Sequence, residues 1–152
     1  MESEQFFIYK METRDLDEVI SIETSSSLTP WSKNMFTEEL ANPLAYCYTI
    51  KFKGKTDFHI IGFICFRIIG DESELFNICV HPQYRKRGMG KKMMQFYIKF
   101  CNQMKVKAFF LDVHSENQIA VRLYQLFSYT PVGIRPKFYQ GKSDALLMVK
   151  KF

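Results

Sequence analysis

Read for the alternation of apolar and polar positions, the chain divides into short segments with two periods. Phe6-Phe7-Ile8-Tyr9-Lys10 is a brief apolar run of the kind that forms a strand. Leu16, Val19, Ile20 and Ile22 then recur at helical spacing behind Thr13, a candidate cap. Pro30-Trp31-Ser32 breaks the chain, and Ser32 is placed to N-cap a short helix with Met35, Phe36 and Leu40 on one side. Asn42-Pro43 stops that helix. Two β-rich runs follow, Tyr46 to Phe52 and Phe58 to Ile69, joined by the hairpin signal Lys53-Gly54-Lys55-Thr56-Asp57. The turn Gly70-Asp71-Glu72-Ser73 leads into Leu75-Phe76-Asn77-Ile78-Cys79-Val80, so three successive antiparallel strands are expected.

The second half alternates between the periods. Met94, Tyr97, Ile98, Cys101 and Met104 lie on one helical stripe. Val106 to His114 is a compact apolar run, read as a strand. Ser115-Glu116-Asn117-Gln118 matches the capping-box pattern and opens a helix with Ala120, Leu123 and Phe127 on one stripe, ended by Thr130-Pro131. Two last strands, about Val132 to Arg135 and Ala145 to Lys151, flank a polar loop from Lys137 to Ser143. The strands on either side of the long helix should be parallel, with a right-handed crossover. Neither repeat, low-complexity tract nor linker interrupts the pattern. The expectation is one α/β domain over residues 1–152: a mixed central sheet of about six to seven strands flanked by about four helices.

Composition narrows the class. At 152 residues, 47% hydrophobic and 16% aromatic, the chain can bury a real core. The net charge of +5 suits an anionic ligand without specifying nucleic acid. Met1-Glu2-Ser3-Glu4-Gln5 offers no secretory n-region, and the longest apolar stretch, Ile60 to Ile69, is too short to span a bilayer. A cytoplasmic location with no membrane association is expected. Cys47, Cys65, Cys79 and Cys101 are scattered in apolar runs without C-x-x-C spacing, which points to buried thiols in a reducing compartment and to no metal site.

The stretch richest in chemistry is Ile78-Cys79-Val80-His81-Pro82-Gln83-Tyr84-Arg85-Lys86-Arg87-Gly88-Met89-Gly90-Lys91. A strand runs into a basic loop with two glycines, and the loop opens a helix. Glycines allow close backbone approach, and the first helical turn presents N–H groups and a dipole end to an anion. Arg85, Lys86, Arg87 and Lys91 add positive charge, so the segment reads as a pyrophosphate cradle. The bland alternative is a solvated basic turn.

The motifs together resemble the GNAT acetyltransferase superfamily, and within it the bacterial ribosomal-protein alanine N-acetyltransferases (the RimI type). The resemblance rests on Pro30-Trp31-Ser32, on Leu75-Phe76-Asn77-Ile78 with Val80, Pro82, Tyr84-Arg85, Gly88 and Gly90, on Leu111-Asp112-Val113 with Asn117, Ala120 and Leu123-Tyr124, and on Arg135 with Phe138-Tyr139 and Asp144-Ala145. Three departures stand out. Asp112 replaces the usual Glu, Ser128-Tyr129 replaces Gly-Phe at a helix end, and Ser143 replaces an acidic residue.

The resemblance implies a GNAT-like fold and an enzyme that moves the acetyl group of acetyl-CoA to the N-terminal α-amine of a protein, with ribosomal termini beginning in Ala or Ser as the candidate acceptors. It implies that backbone of Ile78, Cys79 and Val80 meets the thioester, that Arg85, Lys86, Arg87, Gly88, Met89 and Gly90 hold the pyrophosphate, and that Asn117 contacts the cofactor. Tyr124 would protonate the leaving sulfur; a phenol of pKa near 10 is protonated at working pH. Asp112 is the candidate base, reaching the amine through water, with Glu74 and His114 as rivals; a strand-end or helix-capping role is the plain alternative for Asp112. Trp31, Phe138 and Tyr139 would border an acceptor cleft, or else staple loops to the core. No direct nucleic-acid contact is expected, and the chain is read as a monomer or weak dimer. Two rival functions remain open at this level: a GNAT enzyme acting on a small amine (polyamine, aminoglycoside or amino acid), and a non-enzymatic nucleic-acid-binding domain using the Arg85-Lys86-Arg87 patch.

Overall fold

The computed structural model describes residues 5–54 and 58–151, so Lys55-Thr56-Asp57 of the hairpin signal lie outside the described residues. Strands β1 (Phe6–Lys10), β2 (Ala45–Lys53), β3 (Phe58–Ile69), β4 (Glu72–Val80), β5 (Ala108–His114), β6 (Thr130–Tyr139) and β7 (Ser143–Lys151) form one sheet in the order β1-β2-β3-β4-β5-β7-β6. The α-helices are α1 (Leu16–Ser26), α2 (Lys33–Ala41), α3 (Met89–Gln103) and α4 (Gln118–Leu126), with 3₁₀ turns at Thr13–Asp15 and Pro82–Tyr84. β1 is antiparallel to β2, β4 is parallel to β5, and β7 is antiparallel to both β5 and β6. The expected mixed α/β sheet, including the parallel pair around the long helix, is what forms.

Two compact units can be distinguished along the chain: residues 1–66 with 77–93, and residues 67–76 with 94–152. In the first unit Leu16, Val19 and Ile22 of α1 and Phe36 of α2 pack with Cys47, Ile60, Phe63 and Cys65, all buried. Each such side chain contributes about 1.5–3 kcal/mol by leaving water. Ser32 caps α2, its Oγ accepting the Met35 N–H at 3.2 Å. In the second unit the α3 stripe of Met94, Tyr97 and Cys101 is buried, and Tyr97 meets Phe109 of β5 edge-on at 5.8 Å. Tyr129 lies at 6.5 Å from Phe109 and 5.8 Å from Tyr124.

Four boundaries differ from the expectation. Thr13 does not cap a helix; a 3₁₀ turn over Thr13–Asp15 precedes α1, and the Asp15 carboxylate accepts the Glu12 N–H at 2.8 Å. Asn117, not Ser115, caps α4, its Oδ1 accepting the Ala120 N–H at 3.2 Å. β5 begins at Ala108, because Val106 bonds back to the Cys101 carbonyl at the helix end. β6 runs on to Tyr139 through two register shifts, so the expected polar loop is mostly strand.

Candidate active site

The β4–β5 ladder covers Glu72–Leu75 against Ala108–Leu111 and stops there, although β4 continues to Val80. Ile78, Cys79 and Val80 therefore lie on a part of β4 beyond that ladder, half-buried. The His81 N–H bonds back to the Ile61 carbonyl at 2.7 Å, which fixes the end of the strand. The Cys79 thiol donates to the Ile22 carbonyl at 3.9 Å, and burial is the main cause that pushes its pKa up. That thiol stays protonated and is a poor nucleophile at neutral pH.

The basic loop follows. The Arg85 guanidinium donates to Ser26 Oγ at 2.8 Å and to the Val80 carbonyl at 3.4 Å, so it braces the loop against α1. Lys86 and Gly88 both have positive φ, 64° and 80°, which turns the backbone sharply into α3. Nothing lies within 4 Å of where a Gly88 Cβ would sit, so the surface in front of it is open. The first bond within α3 runs from the Lys92 N–H to the Gly88 carbonyl at 3.0 Å, leaving the Met89, Gly90 and Lys91 N–H groups without a partner in the helix. Arg85, Lys86, Arg87 and Lys91 are exposed around them, with the Arg87 guanidinium 5.3 Å from the Tyr84 ring. No acidic residue stands in the first turn. Open backbone donors, a helix dipole and four cations are what a diphosphate requires.

The second unit carries an ionisable cluster. In β5, Phe109, Leu111 and Val113 are buried on one face, while Asp112 and His114 point to the other. Asp112 Oδ1 lies 3.4 Å from Arg135 Nε, an ion pair that lacks hydrogen-bond geometry, so this buried oxygen has no hydrogen-bond partner among the described residues. Burial raises the Asp112 pKa and Arg135 partly offsets it. Glu74 is raised by burial and by the Asp112 charge, against Arg135 and Arg67. The Tyr139 phenol is pushed up to about 12, first by burial and then by Asp112. The His114 and Tyr139 rings stack with centroids 3.6 Å apart, and burial lowers the His114 pKa. The Asp112 charge thus acts on both Glu74 and Tyr139, and Arg135 opposes it at each.

The remaining predicted residues fall as follows. Tyr124 is buried in α4, and its carbonyl accepts from Phe127 and Tyr129. Asn117 is exposed, with its side-chain oxygen engaged as the helix cap. Trp31 is half-buried against Phe36 at 5.1 Å, and its N–H is held by Glu23. Phe138 is 47% exposed, 5.0 Å from the Tyr139 ring and 5.5 Å from the Arg135 guanidinium.

Two residues escaped the sequence reading. Arg135 figured only as part of a motif, and its pairing with Asp112 depends on β6–β7–β5 register, which one sequence does not display. Glu23 left a trace: it falls seven after Leu16 and four after Val19, on the buried stripe of α1, where a carboxylate is out of place.

The acetyltransferase (GNAT) family profile matches residues 14–129. A Bacillus subtilis protein, provisionally named a ribosomal protein bS18-alanine N-acetyltransferase, is 32% identical over 143 residues, 93% of this chain and 92% of its own. The ribosomal protein bS18-alanine N-acetyltransferase of Escherichia coli K12 is 27% identical over 144 residues, 93% of this chain and 94% of its own. The crystal structure of the ribosomal-protein-S18-alanine N-acetyltransferase from Escherichia coli superposes with a TM-score of 0.85 at 25% identity, over 97% of this chain and 94% of that one. Arabidopsis thaliana NAA60 bound to a bisubstrate analogue gives 0.86 at 20% identity, over 97% and 98%, a likeness of fold alone.

Proposed function

The chain belongs to the GNAT acetyltransferase family and is an acetyl-CoA-dependent N-acetyltransferase, and from that premise we propose that its acceptor is the N-terminal α-amine of a protein, of the ribosomal bS18 kind. The premise spans both compact units, since residues 14–129 belong to the one family match, and we read residues 1–152 as one acetyltransferase domain. Among the described residues no helix is long and apolar enough to cross a membrane, and a cytoplasmic site of action fits a ribosomal acceptor.

Acetyl-CoA suits what the first unit offers. The open turn at Gly88 with the Met89, Gly90 and Lys91 N–H groups that α3 itself leaves unbonded would take the diphosphate, and Arg85, Lys86 and Arg87 would balance its charge. The β4 backbone from Ile78 to Val80, beyond the β5 ladder, would pair with the pantetheine amides and polarise the thioester carbonyl. Asn117 would reach the cofactor with its amide nitrogen, its oxygen being occupied.

Asp112 would take a proton through water from the α-ammonium, freeing the amine lone pair that attacks. An α-amine has a pKa near 7.7–8.0, so a carboxylate made less acidic by burial is an adequate base. The freed amine nitrogen would bond to the thioester carbon; as the tetrahedral intermediate collapses, the carbon–sulfur bond breaks, the Tyr124 hydroxyl gives its proton to the departing sulfur, and the second proton on nitrogen passes through water to return Tyr124 to its phenol form. The protonated Cys79 thiol favours direct attack over a cysteine-bound acetyl group. Glu74 shares the electrostatic environment of Asp112, and His114, lowered in pKa and stacked on Tyr139, lines the same face.

The observation that carries the choice of acceptor is the Arg135 guanidinium beside Asp112. A fixed cation at the base disfavours polyamines and aminoglycosides, which arrive with several charges, and it tolerates one neutralised peptide terminus. Trp31, Phe138 and Tyr139 would give apolar contact to the first residues of such a peptide. The test is a panel of Ala- and Ser-terminal peptides and small amines incubated with acetyl-CoA and read by thiol release. Turnover of the peptides supports the proposal; acetylation confined to polyamines or drugs overturns it.

A further inference from the structure

A buried carboxylate outside the ionisable cluster joins the two functional segments of the first unit. Glu23, in the last turn of α1, is 1% exposed. One of its oxygens, Oε2, accepts the Trp31 backbone N–H at 3.1 Å and the Asn77 side-chain Nδ2–H at 2.7 Å. The other, Oε1, is buried without a hydrogen-bond partner among the described residues. Asn77 immediately precedes Ile78–Val80 on β4, and Trp31 heads the loop into α2. The same turn of α1 receives the Cys79 thiol on the Ile22 carbonyl and the Arg85 guanidinium on Ser26, so α1 meets β4 and the basic loop at three successive points.

Stability alone does not account for this carboxylate. Burial is the main cause that raises its pKa, with the bonds from Trp31 and Asn77 only partly opposing it. A buried charge with an orphaned oxygen weighs against the folded state. What it does provide is geometry: two donors from segments 46 residues apart converge on one atom.

We propose that Glu23 is a positioning residue for acetyl transfer, a single carboxylate oxygen that sets the acceptor-side loop at Trp31 and the thioester strand at Asn77 in a fixed mutual register. This rests on the assignment of Trp31 to the acceptor and of Ile78–Val80 to acetyl-CoA. It predicts that the hydrogen-bond acceptor matters and the charge does not. A glutamine at this position keeps a carbonyl oxygen for both donors while removing the buried charge.

The test compares Glu23→Gln, Glu23→Ala and Asn77→Ala in the full chain, with KM for acetyl-CoA and for an Ala-terminal peptide measured below the melting temperature of each variant. KM does not depend on the fraction of protein that is folded, so a merely structural role leaves both constants unchanged. Glu23→Gln should keep both within about threefold of the parent and melt no lower; Glu23→Ala should raise both about tenfold. Asn77→Ala should raise the acetyl-CoA constant, and the double variant should be no worse than Glu23→Ala in that constant, as one shared bond requires. A folded Glu23→Ala with both constants within twofold of the parent overturns the proposal, as does a Glu23→Gln as impaired as Glu23→Ala. If Glu23→Ala does not fold, Asn77→Ala decides, and an unchanged acetyl-CoA constant overturns it. Should the parent protein acetylate no peptide terminus, the acceptor reading fails separately, and the acetyl-CoA Kd of each variant, measured by titration calorimetry and held to the same limits, judges Glu23.

Discussion

At the scale of single residues, the proposed reaction turns on how Asp112, its proposed base, is held. Burial lifts its pKa and Arg135 pulls it back, so the arginine widens the pH range over which the carboxylate is charged. A base works deprotonated, and kcat/KM should therefore fall as the pH drops through this pKa. Arg135→Gln removes the lowering influence while Glu74 remains, and the Tyr139 phenol, pushed up to about 12, stays neutral throughout. The acid limb of the pH–rate profile should consequently move to higher pH in Arg135→Gln; a limb that stays in place removes either the ion pair or Asp112 from the mechanism. Tyr124 makes a different demand. It is buried, so its ring already belongs to the core, and only its hydroxyl can be spared without repacking. Tyr124→Phe should lower kcat by about 10²-fold or more with a much smaller rise in the acetyl-CoA KM. Near-normal turnover would exclude it as the acid.

Among the elements, the end of α4 shows what a departure from the family pattern costs. The Ser128 N–H bonds to the Gln125 carbonyl at 3.0 Å and the Tyr129 N–H to the Tyr124 carbonyl at 3.1 Å, a Schellman arrangement, with Ser128 at φ 69°. That position favours glycine, which the family usually has there. Ser128→Gly should raise stability by about 1 kcal/mol, a few degrees in a thermal melt, without changing KM. Gly62 is the converse case. A Cβ there would sit 2.8 Å from the Cys79 carbonyl oxygen on β4 and 3.1 Å from Ile50 and Met93. Gly62→Ala should cost about 1–3 kcal/mol and raise the acetyl-CoA KM, because the atom it displaces belongs to the strand proposed to meet the thioester. Melting and steady-state kinetics together check this, and a variant destabilised with an unaltered KM detaches that strand from cofactor binding. The period of apolar positions was enough to read these strands and helices from the sequence. Their ends were less so, for tertiary reasons. Ser115 fits a capping box by spacing, but its N–H is engaged by the Asp144 carbonyl at 3.1 Å, so the cap passes to Asn117. Lys137 to Ser143 reads as a polar loop, yet the Lys137 N–H on Asp144 and the Tyr139–Ser143 pairing extend β6 to Tyr139.

For the whole molecule, the sequence was most informative where function depends on local backbone, and least where it depends on register. The basic turn into α3 could be read as a turn because glycines, cations and a helix start are contiguous; the Arg135–Asp112 and Glu23–Asn77 contacts could not, because each joins segments that only folding brings together. The same distinction bears on the domain. β4 and α3 each pass from one compact unit into the other, at residues 76–77 and 93–94, so neither unit owns a complete set of elements. A strand and a helix shared in this way should couple the units into one cooperative transition. Acetyl-CoA at 100 times its Kd should stabilise the folded state by about 2.7 kcal/mol, which for a chain of this size is a rise of roughly 5–10 °C. Differential scanning calorimetry with and without acetyl-CoA should show a single endotherm that shifts as a whole. Two endotherms, of which only one moves, would mean that the diphosphate turn and the Asp112 face unfold independently. The single-domain reading would then give way to two separately stable parts joined through β4 and α3.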